Sequence, residues 1–223
     1  MTRVKVCGLT REEDVDAAID AGADAVGFIS GLPNSPRNVE ISRAASLMAR
    51  VPPLVTPVLV TTGDALVQNS DLIKRMAPKA IQLYGSPFSP ETVKSTFHSF
   101  LLRPFLVGRQ EDGLVDPVPK AKEAARGYDA LLTDTYSKGM EGGTGLTSDW
   151  TVCSAIRRAV APVPLILSGG LRPENVEAAI SAVMPYCVDV SSGVESAPGV
   201  KDHSKLKAFI AKASVPEESK VAR

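Results

Sequence analysis

The chain has 223 residues, 44% of them hydrophobic, with 25 Lys plus Arg balanced by 25 Asp plus Glu. That length allows one large domain or two small ones around a substantial core, and the even charge offers no basic field for nucleic acid or an anionic membrane. The longest apolar runs are strand-sized, far short of the roughly 20 residues that cross a bilayer, and the start MTRVKVCGLT has no charged-then-apolar leader, so a cytoplasmic protein is expected.

Short β-branched runs alternate with helical periodicity along the chain. Residues 4–7 read as a first strand, and Thr10 with Glu13 has the spacing of a capping box for the helix that carries Val15, Ala18 and Ile19. Residues 25–29 follow as a strand, 41–50 as a helix, 55–60 as a strand and 65–76 as one helix. Residues 80–83 are the fourth strand, after which Ser89 and Pro90 supply an N-cap and a first-turn proline. Residues 100–107 are a fifth strand that Pro104 weakens. Then come a helix at 117–126, a strand at 130–133, a glycine-rich loop to about Thr147 and a helix at 149–160. Strands at 165–167 and 188–190 alternate with helices at 173–183 and 201–213, before a polar tail from 214 to 223 that reads as disordered. Eight strand–helix units predict an α/β fold with a parallel sheet. The expectation is a single (β/α)8 TIM barrel over residues 1–213, although an open doubly wound sheet has the same pattern.

In such a barrel the active site lies at the carboxyl ends of the strands, so the residues after each strand matter most. The first strand ends at Cys7 and Gly8, and the second leads to Ser35, Pro36 and Arg37. The fourth ends in Gln82, Leu83, Tyr84 and Gly85, and the sixth at Asp134 before Gly142, Gly143, Thr144 and Gly145. The seventh is followed by Ser168, Gly169 and Gly170, and the eighth runs through Asp189 into Ser191, Ser192 and Gly193. The last two loops are where barrels bind phosphate, because glycine lets backbone N–H groups approach an anion. The plain alternative is that these glycines make tight turns. Cys7 is either a small core hydrophobe or a base, which requires a thiolate favoured by N–H groups or a cation. With Cys153 and Cys187 it makes three widely spaced thiols, neither a disulfide framework nor a metal set. Asp134 is a loop carboxylate or a catalytic acid beside a loop with the composition of a mobile lid. Arg37 is a solvated charge or a grip for a substrate carboxylate. His98 and His203 fall in a helix and at a helix start, away from this rim, and take no role.

Taken together, these segments resemble the phosphoribosylanthranilate isomerase family of tryptophan biosynthesis. The stretches that carry the resemblance are Lys5 to Thr10, Ala21 to Phe28, Ser35 to Arg37, Gln82-Leu83 with Gly85, Asp134, Gly142 to Gly145 with Asp149-Trp150, Ser168 to Leu171 with Pro173 to Val176, and Val188 to Glu195. The resemblance implies an Amadori rearrangement of N-(5-phosphoribosyl)anthranilate, with Asp134 as general acid and Cys7 as general base. It implies a substrate-binding set of Arg37, Gln82, Tyr84 and Asp189, with Arg37 near the anthranilate carboxylate. Gly143, Gly145, Gly169, Gly170, Ser192 and Gly193 form the implied phosphate site. The anthranilate nitrogen supplies the electron push, so neither metal nor cofactor is implied. The one partner implied is a small phosphosugar, bound by a monomer or a homodimer. Two features depart from the family: Tyr84 stands where histidine is usual, and the Ser30 to Asn34 loop is unlike the usual one. The competing readings are another phosphosugar barrel enzyme, from histidine or indole-glycerol-phosphate chemistry, and a non-catalytic barrel that binds a phosphorylated metabolite.

Overall fold

The computed structural model describes residues 1–107, 116–137, 140–141 and 149–214. In chain order its first half comprises β1 (Arg3–Val6), α1 (Glu12–Asp20), β2 (Ala25–Ile29), α2 (Ile41–Met48), β3 (Thr56–Thr62), α3 (Gly63–Gln68), α4 (Ser70–Met76), β4 (Ala80–Tyr84) and α5 (Pro90–Phe97). The second half comprises β5 (Phe100–Val107), α6 (Pro117–Ala124), β6 (Ala130–Ser137), β7 (Met140–Glu141), α7 (Trp150–Val160), β8 (Leu165–Leu167), α8 (Val176–Val183) and β9 (Cys187–Val190). A 3-10 turn at Ser192–Val194, β10 (Glu195–Ala197), β11 (Val200–Lys201) and α9 (His203–Ala213) complete it.

The main sheet runs β5-β4-β3-β2-β1-β9-β8-β6, and β5 also pairs with β6, so the sheet closes on itself. Its neighbours in the barrel are parallel throughout. The expected (β/α)8 barrel is therefore the fold, and the open sheet is not. β7 lies outside the barrel as a short antiparallel extension of β6.

Strand alternation divides the apolar residues into two layers. Val58, Val60, Ala80, Leu102, Leu132 and Ile166 fill the barrel interior with Cys7 and Cys187. Val4, Val26, Phe28, Leu59, Ile81 and Leu131 face outward and meet helix residues such as Val15, Leu47, Ile73 and Phe209. Pro104 sits inside β5, opposite Leu132 in a parallel ladder.

Local chemistry explains where element boundaries differ from the sequence reading. The capping box at Thr10 and Glu13 does not form: α1 begins after Arg11 without a side-chain cap, and the Thr10 hydroxyl donates instead to the Gly199 carbonyl at 2.7 Å. The helix expected over 65–76 is broken at Asn69, whose side-chain amide donates back to the Ala65 carbonyl at 3.0 Å. Asn175 draws the stretch before α8 into a turn by accepting from the Arg172 N–H at 2.9 Å. Lys201 belongs to a β10–β11 hairpin that was not expected, and Asp202 caps α9 by accepting from Ser204 and Lys205 N–H groups. His203 bonds the fully buried Asp14 at 2.8 Å and so fastens α9 to α1. The expected tail, apart from Ser214, lies outside the described residues.

Ala77 ends α4 in the left-handed region, at φ 45° and ψ 57°, where a Cβ is penalised by about 1–2 kcal/mol. Glycine would remove that penalty but add unfolded-state entropy of about 0.5–1 kcal/mol. Ala77→Gly is therefore expected to stabilise the protein by ~0.5–1 kcal/mol, read as a higher midpoint in urea unfolding. A lower midpoint would contradict this account.

Candidate active site

Parallel closure brings the carboxyl ends of all eight barrel strands to one rim, and the expected site residues among those described gather there. Cys7 follows β1 and is 5% exposed, and Gly8 turns the chain at φ 73°. A Cβ on Gly8 would stand 2.5 Å from the Arg37 Cδ, so the glycine is also what lets the arginine stem cross the turn. On the neighbouring strand a Cβ at Gly27 would lie 2.8 Å from the Cys7 sulfur. Gly27 thus makes the space the thiol occupies.

The interior contains a charge that sequence reading passed over. Lys5 lies two residues before Cys7, on the same inward face of β1, and is 1% exposed. It stands opposite Asp189 in the β1–β9 ladder, and its Nζ donates to Asp189 Oδ1 at 2.9 Å. Burial alone would lower the Lys5 ammonium, but Asp189 and the Cys7 sulfur outweigh it and hold the group upward. Burial also pushes the Asp189 carboxyl up, against the pull of Lys5. The contact is an ion pair, because the Asp189 carboxylate 2.9 Å away offsets the desolvation of the Lys5 ammonium and holds it protonated. Burial likewise raises the Cys7 thiol, and Lys5, the largest opposing influence, pulls it back down. Lys5 thus acts on Cys7 in the sense a thiolate requires, while burial still holds the thiol above its ordinary range. Its signal was available in the alternation of β1, where Lys5 takes a barrel-interior position.

A second buried cation closes the rim. Lys201 Nζ donates to the Cys7 carbonyl at 2.8 Å, the Ser191 carbonyl at 3.1 Å and Glu195 Oε1 at 2.8 Å. Glu195 also accepts from Arg37 Nε at 2.8 Å and Nη2 at 2.7 Å. Arg37 is therefore not a solvated charge: it is buried, and one edge of its guanidinium is fixed. Burial pushes the Glu195 carboxyl up, but Arg37 and Lys201 prevail and keep it below the ordinary range. Neither Lys201 nor Glu195 was singled out from sequence, since their partners are set by the closed fold.

Asp134 lies in β6 and is buried. Across the mouth, Gln82 Nε2 donates to the Tyr84 hydroxyl at 3.2 Å. Burial, followed by Asp134 and Cys7, pushes that phenol upward, which places Tyr84 within the electrostatic reach of both. After β8, Gly169 and Gly170 adopt φ 97° and 63°, and Asn175 Nδ2 donates to the Gly170 carbonyl at 3.0 Å. Arg172 follows two residues on, and its exposed side chain turns to Glu174. After β9, Ser192 and Gly193 begin the 3-10 turn. Gly193 does not need a left-handed backbone. Its constraint is proximity, because a Cβ there would fall 1.8 Å from the Leu171 carbonyl oxygen. Gly143 and Gly145, with the loop read as a lid, lie outside the described residues. Among the described residues no group of three or more metal-ligating side chains is found, and no helix is long and apolar enough to cross a membrane.

The parallel strands close into a (β/α)8 barrel, and the buried polar groups collect at its carboxyl rim, where enzymes of this fold keep their active sites. Within that fold, the family model described as N-(5'-phosphoribosyl)anthranilate (PRA) isomerase matches residues 4–212, and the chain belongs to this family. A relative from Halorubrum lacusprofundi, named N-(5'-phosphoribosyl)anthranilate isomerase, is 43% identical over 214 residues, covering 96% of this chain and 97% of its own. The crystal structure of phosphoribosyl anthranilate isomerase from Thermotoga maritima superimposes with a TM-score of 0.79 at 35% identity, covering 96% and 98% of the two chains. Another similar structure is the isomerase in complex with reduced 1-(o-carboxyphenylamino)-1-deoxyribulose 5-phosphate, with a TM-score of 0.76, 33% identity and coverage of 96% and 98%.

The Lys5–Asp189 pair has a measurable consequence for stability. Lys5→Met leaves Asp189 buried without its counter-charge and is expected to destabilise the fold by about 3–5 kcal/mol. Lys5→Met combined with Asp189→Leu should recover most of that loss, because an apolar pair of similar volume replaces a buried ion pair at little cost. Urea unfolding of the single and double variants reads both values. Equal midpoints for Lys5→Met and the wild type would mean that the pair is not charged.

Proposed function

We propose that this chain converts N-(5-phosphoribosyl)anthranilate to 1-(2-carboxyphenylamino)-1-deoxyribulose 5-phosphate, the third step of tryptophan synthesis from chorismate. The observation that carries the reading is that Cys7, following β1, and Asp134, in β6, are both buried on one carboxyl rim of the closed barrel. It is supported by membership of the family and by the ligand named in the related complex.

Asp134 acts as the general acid. It gives a proton to the furanose ring oxygen as the C1–O bond breaks, and the nitrogen lone pair forms the C1=N bond. Cys7 acts as the general base. It takes the C2 proton, and the electron pair left behind moves through C1 to neutralise the nitrogen, giving an enolamine. Tautomerisation gives the C2 ketone. Arg37 faces the anthranilate carboxylate, with Gln82, Tyr84 and Asp189 lining the sugar side. Asp189 does so while paired with Lys5, so its free oxygen is the one open to substrate. The phosphate lies on N–H groups of Gly169, Gly170, Ser192 and Gly193, where the two loops touch, and Gly143 and Gly145 take part from the loop after β6.

Cys7→Ser replaces a thiol with a far weaker acid, and loss of a positioned base typically costs about 10²–10⁴-fold in turnover. Asp134→Asn cannot deliver the ring-opening proton and is expected to fall in the same range. The fluorescence of phosphoribosylanthranilate, lost on turnover, measures both. A Cys7→Ser enzyme that keeps more than roughly a third of wild-type kcat would exclude Cys7 as the base.

The pH profile follows from the Cys7 environment. The active form of a base is deprotonated, and burial holds this thiol above its ordinary range. The thiolate fraction of the free enzyme therefore grows with alkalinity, and kcat/KM should climb through about pH 7–9, past the ~8.5 of an unperturbed cysteine. A kcat/KM that is flat or falling from neutral pH upward would show that another group limits the reaction.

A further inference from the structure

We infer that Glu195, backed by Lys201, is the positioning residue that aims Arg37 and so sets the enzyme's preference for a carboxylate-bearing aryl group. The inference rests on the reading of Arg37 given under Proposed function and extends it to residues with no assigned role.

The geometry is a chain of three charges. Glu195 Oε2 accepts from Arg37 Nη2 at 2.7 Å, while Oε1 accepts both from Arg37 Nε at 2.8 Å and from Lys201 Nζ at 2.8 Å. All three side chains are nearly sealed from water, at 10%, 6% and 0% exposure for Arg37, Glu195 and Lys201. A guanidinium presents five N–H donors in a rigid plane. Glu195 takes the Nε–Nη2 edge, so the Nη1 side is the edge left to grip a second carboxylate in the forked arrangement that suits arginine. Lys201 stops Glu195 from swinging to that second edge. The remaining donors of Lys201 hold the Cys7 and Ser191 carbonyls. A single ammonium therefore fixes the backbone of the proposed base, the start of the loop after β9 and the carboxylate that aims Arg37.

The sign of the charge separates aiming from simple attraction. One glutamate between two cations leaves a net positive cluster. Glu195→Gln leaves that cluster at least as positive, even if burial then strips the Lys201 proton, so attraction alone would not weaken binding of an anionic aryl group. If Glu195 acts by aiming, the same variant weakens that binding, because the guanidinium loses its fixed plane.

The test compares two inhibitors that differ in one group: the reduced product 1-(2-carboxyphenylamino)-1-deoxyribitol 5-phosphate and its phenylamino counterpart without the carboxylate. The wild type should prefer the carboxylated compound. Glu195→Gln should lose about 10-fold of that preference, as expected for a misplaced charge-assisted contact, with little change in the inhibition constant of the phenylamino compound. KM should rise more than kcat falls. A preference that stays at the wild-type value, or increases, would overturn the inference, as would equal weakening of both compounds. Arg37→Ala provides the separate control. If it keeps the wild-type preference, the reading of Arg37 fails and this inference fails with it. If Arg37→Ala abolishes the preference and Glu195→Gln does not, only the aiming role fails. Should Glu195→Gln not fold, Glu195→Asp gives the same readout, since its carboxylate is one methylene short of Arg37 and Lys201.

Discussion

The β5–β6 ladder, from Leu102 opposite Ala130 to Val107 opposite Thr135, joins the two ends of the sheet. Without it the parallel strands would form an open sheet with two exposed edges, each a row of unpaired backbone groups. With it, every strand points its carboxyl end at the same rim, and inward residues are committed to a space only a few side chains wide. Register becomes unforgiving in such a barrel. A slip of one residue in β1 would turn Lys5 and Cys7 into the helix layer and bring Val4 and Val6 inside. The thiol, its neighbouring cation and the β9 carboxylate are therefore consequences of one pairing, in which Lys5 faces Asp189.

Placing ions in that interior works against stability. Desolvating an ammonium and a carboxylate takes several kcal/mol for each ion, and their attraction does little more than offset it. The Lys5–Asp189 and Lys201–Glu195 pairs are both almost fully sealed, so neither explains why the barrel is stable. Both lie within two residues or one hydrogen bond of Cys7. Low dielectric strengthens a fixed charge acting on a neighbouring group, and that is what a thiol held in an apolar barrel needs if it is to ionise. On the proposed function the same rim has to admit a substrate with two anionic groups, a phosphate and a carboxylate, beside cations held in place by their own partners.

Much of this was legible in the sequence, for a physical reason. Strands of a closed barrel are short and apolar, their helices are amphipathic, and glycines mark the turns at the carboxyl ends. Cys7, Arg37, Asp134 and Asp189 could be placed on the rim by counting strands. Lys5 was open to the same counting, since it shares the face of Cys7. Lys201 and Glu195 were not, because the bonds that define them reach from Lys201 back to Cys7, 194 positions away, and from Glu195 to Arg37, 158 positions away. A helical pattern also concealed Lys201, which the hairpin turns into a strand residue. The capping pair failed because tertiary structure supplied the Thr10 hydroxyl with an acceptor in a distant loop. Gly193 was read as a close approach for an anion or as a tight turn; the further limit, the Leu171 carbonyl pressed against it, is one that only the folded chain supplies.

Tyr84 illustrates how a departure from the family can leave the chemistry intact. The Gln82 amide donates to its oxygen, so the phenolic proton remains available to be donated elsewhere. Burial and the neighbouring Asp134 raise the phenol, which keeps it protonated throughout the neutral range. A tyrosine so held can orient a sugar hydroxyl but cannot exchange protons with it near neutral pH, as an imidazole could. On the proposed mechanism both proton transfers run between β1 and β6, and nothing is asked of β4 beyond a donor and a wall. The substitution then changes how the substrate is held, not how its proton moves. β4 itself pairs with β3 and β5, and neither of these strands carries a proposed proton-transfer group.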